Sequence, residues 1–385
     1  MDEESRLIHA GAGRQPEART VGPAIQRGST VLLPNARALY DGTLGYGRAG
    51  LNAQFALQEA LCDLEGARAV QLFPSGLAAI TAALMAVLRA GDHLLVVDTV
   101  YKPVRAFCDA VLARFGVTVD YYDARLDAAG VLALARPETR LILLESPGSL
   151  SFEMQDTPAI AAAARARGVL TLIDNTWGAG LLFRPLAAGV DLSAQALTKY
   201  VCGHSDVFMG SVATNDPALA TALEDAVHHH GWAVTGDDAY QALRGLRTLA
   251  TRLARHGESG LVVARWLADR PEVLRVLHPA LPGAPGHDLW TRDYSGACGL
   301  FSVVLRPSPQ TAVEAFLDAL KLFGLGFSWG GYESLAINCD PQFRRRAIPV
   351  DYGGPMIRLH IGLESPADLI ADLRTALEAW AAPGS

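Results

Sequence analysis

Gly168-Val-Leu-Thr-Leu-Ile-Asp174 and Val190-Asp-Leu-Ser-Ala-Gln-Ala-Leu-Thr-Lys-Tyr200 are two short apolar runs, each leading to a charged residue. The second is broken before Leu197 only by Asp191, Ser193 and Gln195. Short apolar runs bounded by polar residues read as strands buried on both faces, which is the habit of parallel sheets. The spacing therefore predicts Asp174 and Lys199 at the ends of two strands in one α/β region. A free lysine has a pKa of about 10.4 and is mostly ammonium at neutral pH. Burial disfavours that charged form and makes the amine a usable nucleophile. A lysine taken alone is more often a snorkelling surface residue, so the surrounding sequence has to decide.

Working outward, apolar runs alternate with helical patterns. Strands are expected at 69–73, 93–97, 118–122, 141–144, 169–173, 192–196 and 207–213, with helices between them such as 77–89 and 157–167. This alternation predicts an α/β fold, with a mostly parallel seven-stranded sheet covered on both faces. Three regions are expected. Residues 1–50, with several Gly and Pro and few periodic runs, read as an arm that another surface must order. Residues 51–245 form the large domain, and 246–385 a smaller α+β domain. The latter has helices at 248–268 and 367–380 and strands at 299–305, 326–327 and 356–361. In such sheets ligands bind beyond the carboxyl ends of the strands, where Ser75, Asp174 and Lys199 are expected.

Composition narrows the function. Of 385 residues half are apolar and 19% charged, ordinary for a globular enzyme. A formal charge of −7 argues against a nucleic-acid partner. The longest uncharged apolar stretch, 76–88, is too short to span a membrane. The acidic start, Met1-Asp-Glu-Glu-Ser-Arg6, opposes a targeting peptide. Five scattered cysteines without CxxC spacing read as free thiols of a reducing cytoplasm. His228-His229-His230 point different ways on a helix, so no metal is expected.

A lysine and an aspartate presented at strand ends suit pyridoxal 5'-phosphate. The lysine would carry the cofactor as a Schiff base, and the aspartate would keep the pyridine nitrogen protonated. Ser75-Gly76-Leu77 lies between a strand and a helix. Gly76 lets backbone approach a ligand, and Gly76 and Leu77 open a helix whose free N–H groups can take a phosphate. Thr198 is expected to add its hydroxyl to the same phosphate. Arg358 sits in the apolar run Met356-Ile-Arg-Leu-His-Ile361, where a charge is costly unless paired. A buried salt bridge and a clamp for a substrate carboxylate both answer that need, and the clamp suits amino-acid chemistry.

Further segments fall in one order along the chain: Tyr46-Gly-Arg48, Phe73-Pro-Ser-Gly76, Glu145-Ser-Pro147, Asp174-Asn-Thr-Trp177, Thr198-Lys-Tyr200, Gly203-His-Ser-Asp206, Ser328-Trp-Gly-Gly-Tyr-Glu-Ser334 and Ile357-Arg-Leu-His-Ile361. On these segments the chain resembles the Cys/Met-metabolism family of pyridoxal-phosphate enzymes, and within it the β-lyase branch. The resemblance implies a fold-type-I architecture and β-elimination of a cysteine S-conjugate, cystathionine giving homocysteine, pyruvate and ammonia. It implies that Tyr46 and Arg48 bind the phosphate of a neighbouring subunit's cofactor. Function then needs a homo-oligomer, at least a dimer and in expectation a tetramer. Tyr101 is implied to stack on the pyridine ring and, like Lys199, to be able to protonate the leaving sulfur. Ser328 would touch the substrate carboxylate or Lys199, Trp329 would shape the pocket for the thioether arm, and Arg358 would hold the α-carboxylate. Asn175, Trp177, His204 and Asp206 would support these groups. γ-Acting relatives usually carry Leu where Trp329 stands. A γ-synthase or γ-lyase, a β-lyase for another cysteine conjugate, and a non-catalytic regulator are the competing readings. The last is disfavoured by the absence of spare length or a basic helix.

Overall fold

The structure, a computed structural model, describes residues 2–11, 20–343 and 346–381. Two sheets organise it. The larger has strands β1 (Ala69–Phe73), β2 (His93–Val97), β3 (Thr118–Tyr122), β4 (Thr139–Glu145), β5 (Leu170–Asp174), β6 (Leu192–Gln195) and β7 (Gly210–Thr214), in the spatial order β1-β7-β6-β5-β4-β2-β3. Neighbours are parallel except at β7, which runs antiparallel to both β1 and β6. Six strands therefore point one way, and their carboxyl ends share one edge of the sheet. The apolar residues of β2 and β4, and Leu172 and Ile173 of β5, are buried on both faces, which accounts for continuous apolar runs rather than alternation. Each such Leu, Ile or Val contributes about 1.5–3 kcal/mol on leaving water.

The smaller sheet comprises β8 (Val273–Leu277), β9 (Leu300–Leu305), β10 (Gly324–Leu325), β11 (Leu335–Asn338) and β12 (Met356–His360), in the order β10-β11-β12-β9-β8. Helices Leu249–Ala268, Gln310–Ala319 and Pro366–Ala381 pack around it. Val263, Phe301, Phe316, Leu359 and Leu373 belong to the core they share. Two strands escape the sequence reading. β8 carries Arg275 and is half open to solvent, and β11 is four residues inside a loop-rich stretch. The strand expected at 326–327 lies instead at Gly324–Leu325, paired with β11.

The sheets are stitched by hydrogen bonds. Trp177 Nε1 donates to the Leu300 carbonyl (3.2 Å), and Gly299 N donates to Tyr200 Oη (3.0 Å). Ser302 Oγ donates to the Leu150 carbonyl (2.6 Å). The start of β12 thereby stays opposite the carboxyl edge of the large sheet.

Helix Gly76–Val87 begins hard against β6. A Cβ on Gly76 would lie 2.4 Å from Ala196 Cβ and 2.8 Å from its Cα. Because the obstacle is backbone three residues before Lys199, neither side can yield cheaply. Gly76→Ala should cost about 1–3 kcal/mol through overpacking. Urea unfolding of the apoprotein checks this, and an unchanged midpoint would mean that the contact relaxes freely.

Candidate active site

Asp174 closes β5, in register with Glu145 of β4 and Ala194 of β6. Its Oδ1 accepts from Thr176 N (3.0 Å) and from the Thr176 hydroxyl. Its Oδ2 has no hydrogen-bond partner among the described residues. Burial raises the Asp174 carboxyl, while Thr176 and nearby Lys199 pull it back down. Thr176 also accepts from Ala196 N (2.9 Å), and Asn175 N donates to the Ala194 carbonyl (2.8 Å). The turn after β5 is thus tied to the segment that carries Lys199.

Lys199 is not on β6, as the apolar run suggested. The strand ends at Gln195, and 197–202 form a turn closed by Gly203 N donating to the Lys199 carbonyl (2.8 Å). Lys199 Nζ donates to Ser328 Oγ (2.9 Å) and lies 5.5 Å from the Trp329 ring centre. Burial pushes its amine down to about 8. Arg358 pushes the same way, and Asp174 opposes.

Arg358 is half-buried on β12. Its Nη2 donates to the Ser328 carbonyl (3.1 Å), and among the described residues no carboxylate forms a salt bridge with it. Of the two needs read from sequence, the structural salt bridge is not what this chain builds. Ser328 joins the two cations, its hydroxyl on Lys199 and its carbonyl on Arg358. Trp329 stacks edge-on against Tyr200, with centroids 5.4 Å apart.

Tyr101 follows β2, and its N donates to Glu145 Oε2 (2.7 Å). Its ring is 44% exposed. Burial first, then Asp174 and Glu145, raise its phenol, while Arg358 lowers it, so the other three charged groups lie within electrostatic reach of Tyr101. Glu145 is held well above the usual carboxylate range by burial and by Asp174. Sequence reasoning gave Glu145 and Thr176 no role. The Asp-x-Thr spacing, which favours a side-chain-to-backbone turn, was the available signal for Thr176.

At the start of helix Gly76–Val87, Ser75 Oγ accepts from Ala78 N (3.1 Å) as an N-cap. Gly76 N and Leu77 N have no acceptor among the described residues, leaving two donors at a helix N-terminus. Thr198 departs from expectation. Its one O–H is given to the Met209 carbonyl (3.1 Å), and its oxygen accepts from Met209 N (2.9 Å). The hydroxyl expected to serve phosphate instead pins the Lys199 turn to the start of β7.

Tyr46 and Arg48 remain in the arm. The guanidinium sits 5.2 Å over the Tyr46 ring, and Tyr46 bridges to Thr30. Among the described residues no hydrogen bond ties either to Lys199 or Asp174. Asn175 donates to the Phe183 carbonyl (3.0 Å) and His204 Nδ1 bonds the Cys202 carbonyl (2.7 Å). The five cysteines are free, and burial holds their thiols up at about 11 to 12. Among the described residues no cluster fit for a metal occurs, and no helix is long and apolar enough to cross a membrane.

A lowered lysine, an aspartate with one free oxygen and a helix N-terminus with two free N–H groups are the donor set that pyridoxal phosphate requires. The comparisons agree. The model of the Cys/Met metabolism PLP-dependent enzymes matches residues 4–378. The chain belongs to that family. It is 48% identical over 334 residues to the cystathionine beta-lyase of Bordetella avium, covering 86% of this chain and 83% of that one. It is 43% identical over 383 residues to the cystathionine beta-lyase of Escherichia coli strain K12, covering 96% of each. The crystal structure of cystathionine gamma-lyase from Lactobacillus plantarum complexed with L-serine superposes with a TM-score of 0.92 at 29% identity, covering 99% of this chain and all of that one. The family's cofactor thus has a site here that fits it, in a fold of type I.

Only the neutral lysine amine attacks the cofactor's aldehyde. Capture of pyridoxal phosphate by the apoprotein should therefore rise with pH and level off above about 8, where Lys199 has lost its proton. Stopped-flow absorbance measures this, and a plateau reached only near 10 would show that Lys199 is not desolvated. Lys199→Ala should abolish the covalent band.

Proposed function

We propose that the protein is a pyridoxal-phosphate-dependent carbon–sulfur lyase that breaks the Cβ–S bond of a cysteine S-conjugate. Its substrate is cystathionine, and the products are homocysteine, pyruvate and ammonia. The observation that carries this reading is Ser328 bridging Lys199 and Arg358. An amine that can take a proton and a guanidinium free to take a carboxylate stand on either side of one residue. The kinship with β-lyases at 43% and 48% identity, against 29% for the γ-lyase structure, directs that machinery to Cβ.

Arg358 grips the α-carboxylate through its fork and turns the Cα–H towards Lys199. The Lys199 amine takes that proton in its neutral form, which burial together with Arg358 makes easier to reach by lowering its pKa to about 8. Asp174, whose Oδ2 is left free, would hold a proton on the pyridine nitrogen of bound cofactor. Bound pyridoxal phosphate supplies the sink for the electrons released at Cα. The electron pair then expels the thiolate, and Lys199 or the Tyr101 phenol protonates the sulfur. Water completes the products as pyruvate and ammonia. Gly76 and Leu77 would hold the phosphate with their N–H groups, and Tyr101 would pack against the ring. Trp329 lines the side that receives the thioether arm.

The arm, residues 1–50, completes the site of a second copy, with Tyr46 and Arg48 on that copy's phosphate. Val21, Leu32 and Tyr40 are 90% or more exposed, an apolar display that a partner chain would cover. Residues 51–245 and 246–385 supply the cofactor and carboxylate sides. A cytoplasmic homotetramer built from such dimers fits the five free thiols.

A product assay on cystathionine decides between the two carbon positions: pyruvate with homocysteine means β-cleavage, and 2-oxobutyrate with cysteine means γ-cleavage. Arg358→Ala should lower kcat/KM by an amount corresponding to about 2–5 kcal/mol, and Arg358→Lys should restore little because the fork is lost. Trp329→Leu should keep the cofactor spectrum while turnover falls or the product ratio shifts; wild-type cleavage would reduce Trp329 to packing.

Mixing two inactive proteins, Arg48→Ala and Lys199→Ala, should regenerate activity in hybrid dimers. Absence of recovery, once subunit exchange is verified by mass spectrometry, would mean that each chain holds its whole site.

A further inference from the structure

Two residues after Arg358, on the same face of β12, stands His360. It is 1% exposed, and His256 on helix Leu249–Ala268 is fully buried. Their ring centroids are 5.3 Å apart. Both rings also lie against Tyr200, at 6.0 Å and 5.3 Å. The pair therefore sits directly behind the Lys199 turn.

The hydrogen bonds around the pair assign its protons. Gly330 N donates to His360 Nε2 (3.1 Å) and has no other acceptor among the described residues. The Gly331 carbonyl is equally close to that nitrogen. Placing the proton on Nε2 for its sake would leave Gly330 N–H facing another N–H. Nε2 is therefore bare, and a neutral imidazole then carries its hydrogen on Nδ1. His256 Nδ1 lies 2.8 Å from the Ile361 carbonyl, which can only accept. Its hydrogen is on Nδ1 and its Nε2 is bare. Burial keeps both rings neutral, His360 down to about 3. The result is one donor, His360 Nδ1–H, and one acceptor, His256 Nε2, both buried and both without a partner among the described residues.

We infer that His360 and His256 are positioning residues for the substrate carboxylate site. Packed ring against ring, with His256 backing His360, they anchor Gly330 through His360 Nε2 and so fix where Ser328 meets Arg358 and Lys199. Gly330 has little other freedom. It adopts φ +85°, and a Cβ there would lie 2.8 Å from the Lys199 carbonyl carbon and from Tyr200 N. Its N–H is the handle left for setting the height of the segment. A shift of that segment moves the Ser328 carbonyl on Arg358 and the Ser328 hydroxyl on Lys199 together.

This inference rests on Arg358 holding a carboxylate, as proposed above, and two readouts keep the claims apart. His360→Asn keeps an N–H near the δ position and loses the acceptor for Gly330. His360→Gln keeps an acceptor near the ε position. His256→Asn keeps the donor to Ile361 and loses the ring that packs against His360 and Tyr200. In holoenzyme, His360→Asn should raise KM for cystathionine on the order of ten- to a hundred-fold, the usual scale for a misplaced group. The cofactor band should remain, and kcat should change less than KM. His360→Gln should recover most of the loss, and His256→Asn should fall between. Titration of the cofactor absorbance with L-alanine, whose carboxylate needs the same clamp and whose Cβ carries no leaving group, should weaken in the same rank order. Equal KM and L-alanine affinity in wild type and His360→Asn overturn the inference. So does a set of variants that lose thermal stability alike without a KM shift. A wild type that binds L-alanine but cleaves no cysteine thioether would overturn the lyase reading and leave the positioning claim standing on the titration.

Discussion

Everything at the site depends on Lys199 and Arg358 lying out of water on either side of Ser328, with the Asp174 carboxyl close enough to act on Lys199. A buried lysine beside an arginine sheds its proton more readily than one in water, and the amine falls to about 8. Asp174 is close enough to oppose that fall but is itself restrained by Thr176. Exposed to water, the Lys199 amine would hold its proton up to about 10.4 and offer far less free amine near neutrality to bind an aldehyde or accept a proton from carbon. The dry, mostly apolar β4 and β5 strands are thus part of the chemistry, since they create the low-dielectric floor on which the charges act.

The architecture supplies these groups from distant segments. Asp174 and Glu145 arrive in register on neighbouring strands. Lys199 arrives on a turn pinned by Thr176 and Thr198. Arg358 comes from the other sheet, which the Trp177 and Tyr200 hydrogen bonds hold in place. The reversal of β7 has a local purpose. It brings Met209 back to the site edge, where its backbone satisfies the Thr198 hydroxyl.

Lys199, Asp174 and Arg358 were legible in the sequence because each is a charge on or just beyond an apolar run, where an unpaired charge is too costly to be accidental. Most of the large sheet was legible for the same reason. β8 and β11 were not, because one exposes half its residues and the other is four residues long. The bonds of the Thr198 hydroxyl to Met209 were not legible, because Met209 is brought near only by the return of β7. His256 and His360 gave no signal as a pair: they lie on different elements, and only the packing of the folded state brings their rings together. Tyr46 and Arg48 stay apart from the cleft of their own chain, so no reading of one chain could have joined them by contact.

Gly330 and Gly331 carry a consequence for how such sites diversify. A side chain on Gly330 would strike the Lys199 backbone, and one on Gly331 would come within 2.2 Å of Ser205 Oγ and 2.5 Å of the Glu333 carboxylate. The backbone of this segment is thereby frozen, while its flanking positions, Trp329 and Tyr332, can exchange side chains without moving it. Laboratory evolution towards new thioethers should accumulate changes at those flanks and at the rim, and leave the glycine pair untouched. Libraries that randomise 330 and 331 would return mostly inactive clones, and their codons are better spent elsewhere.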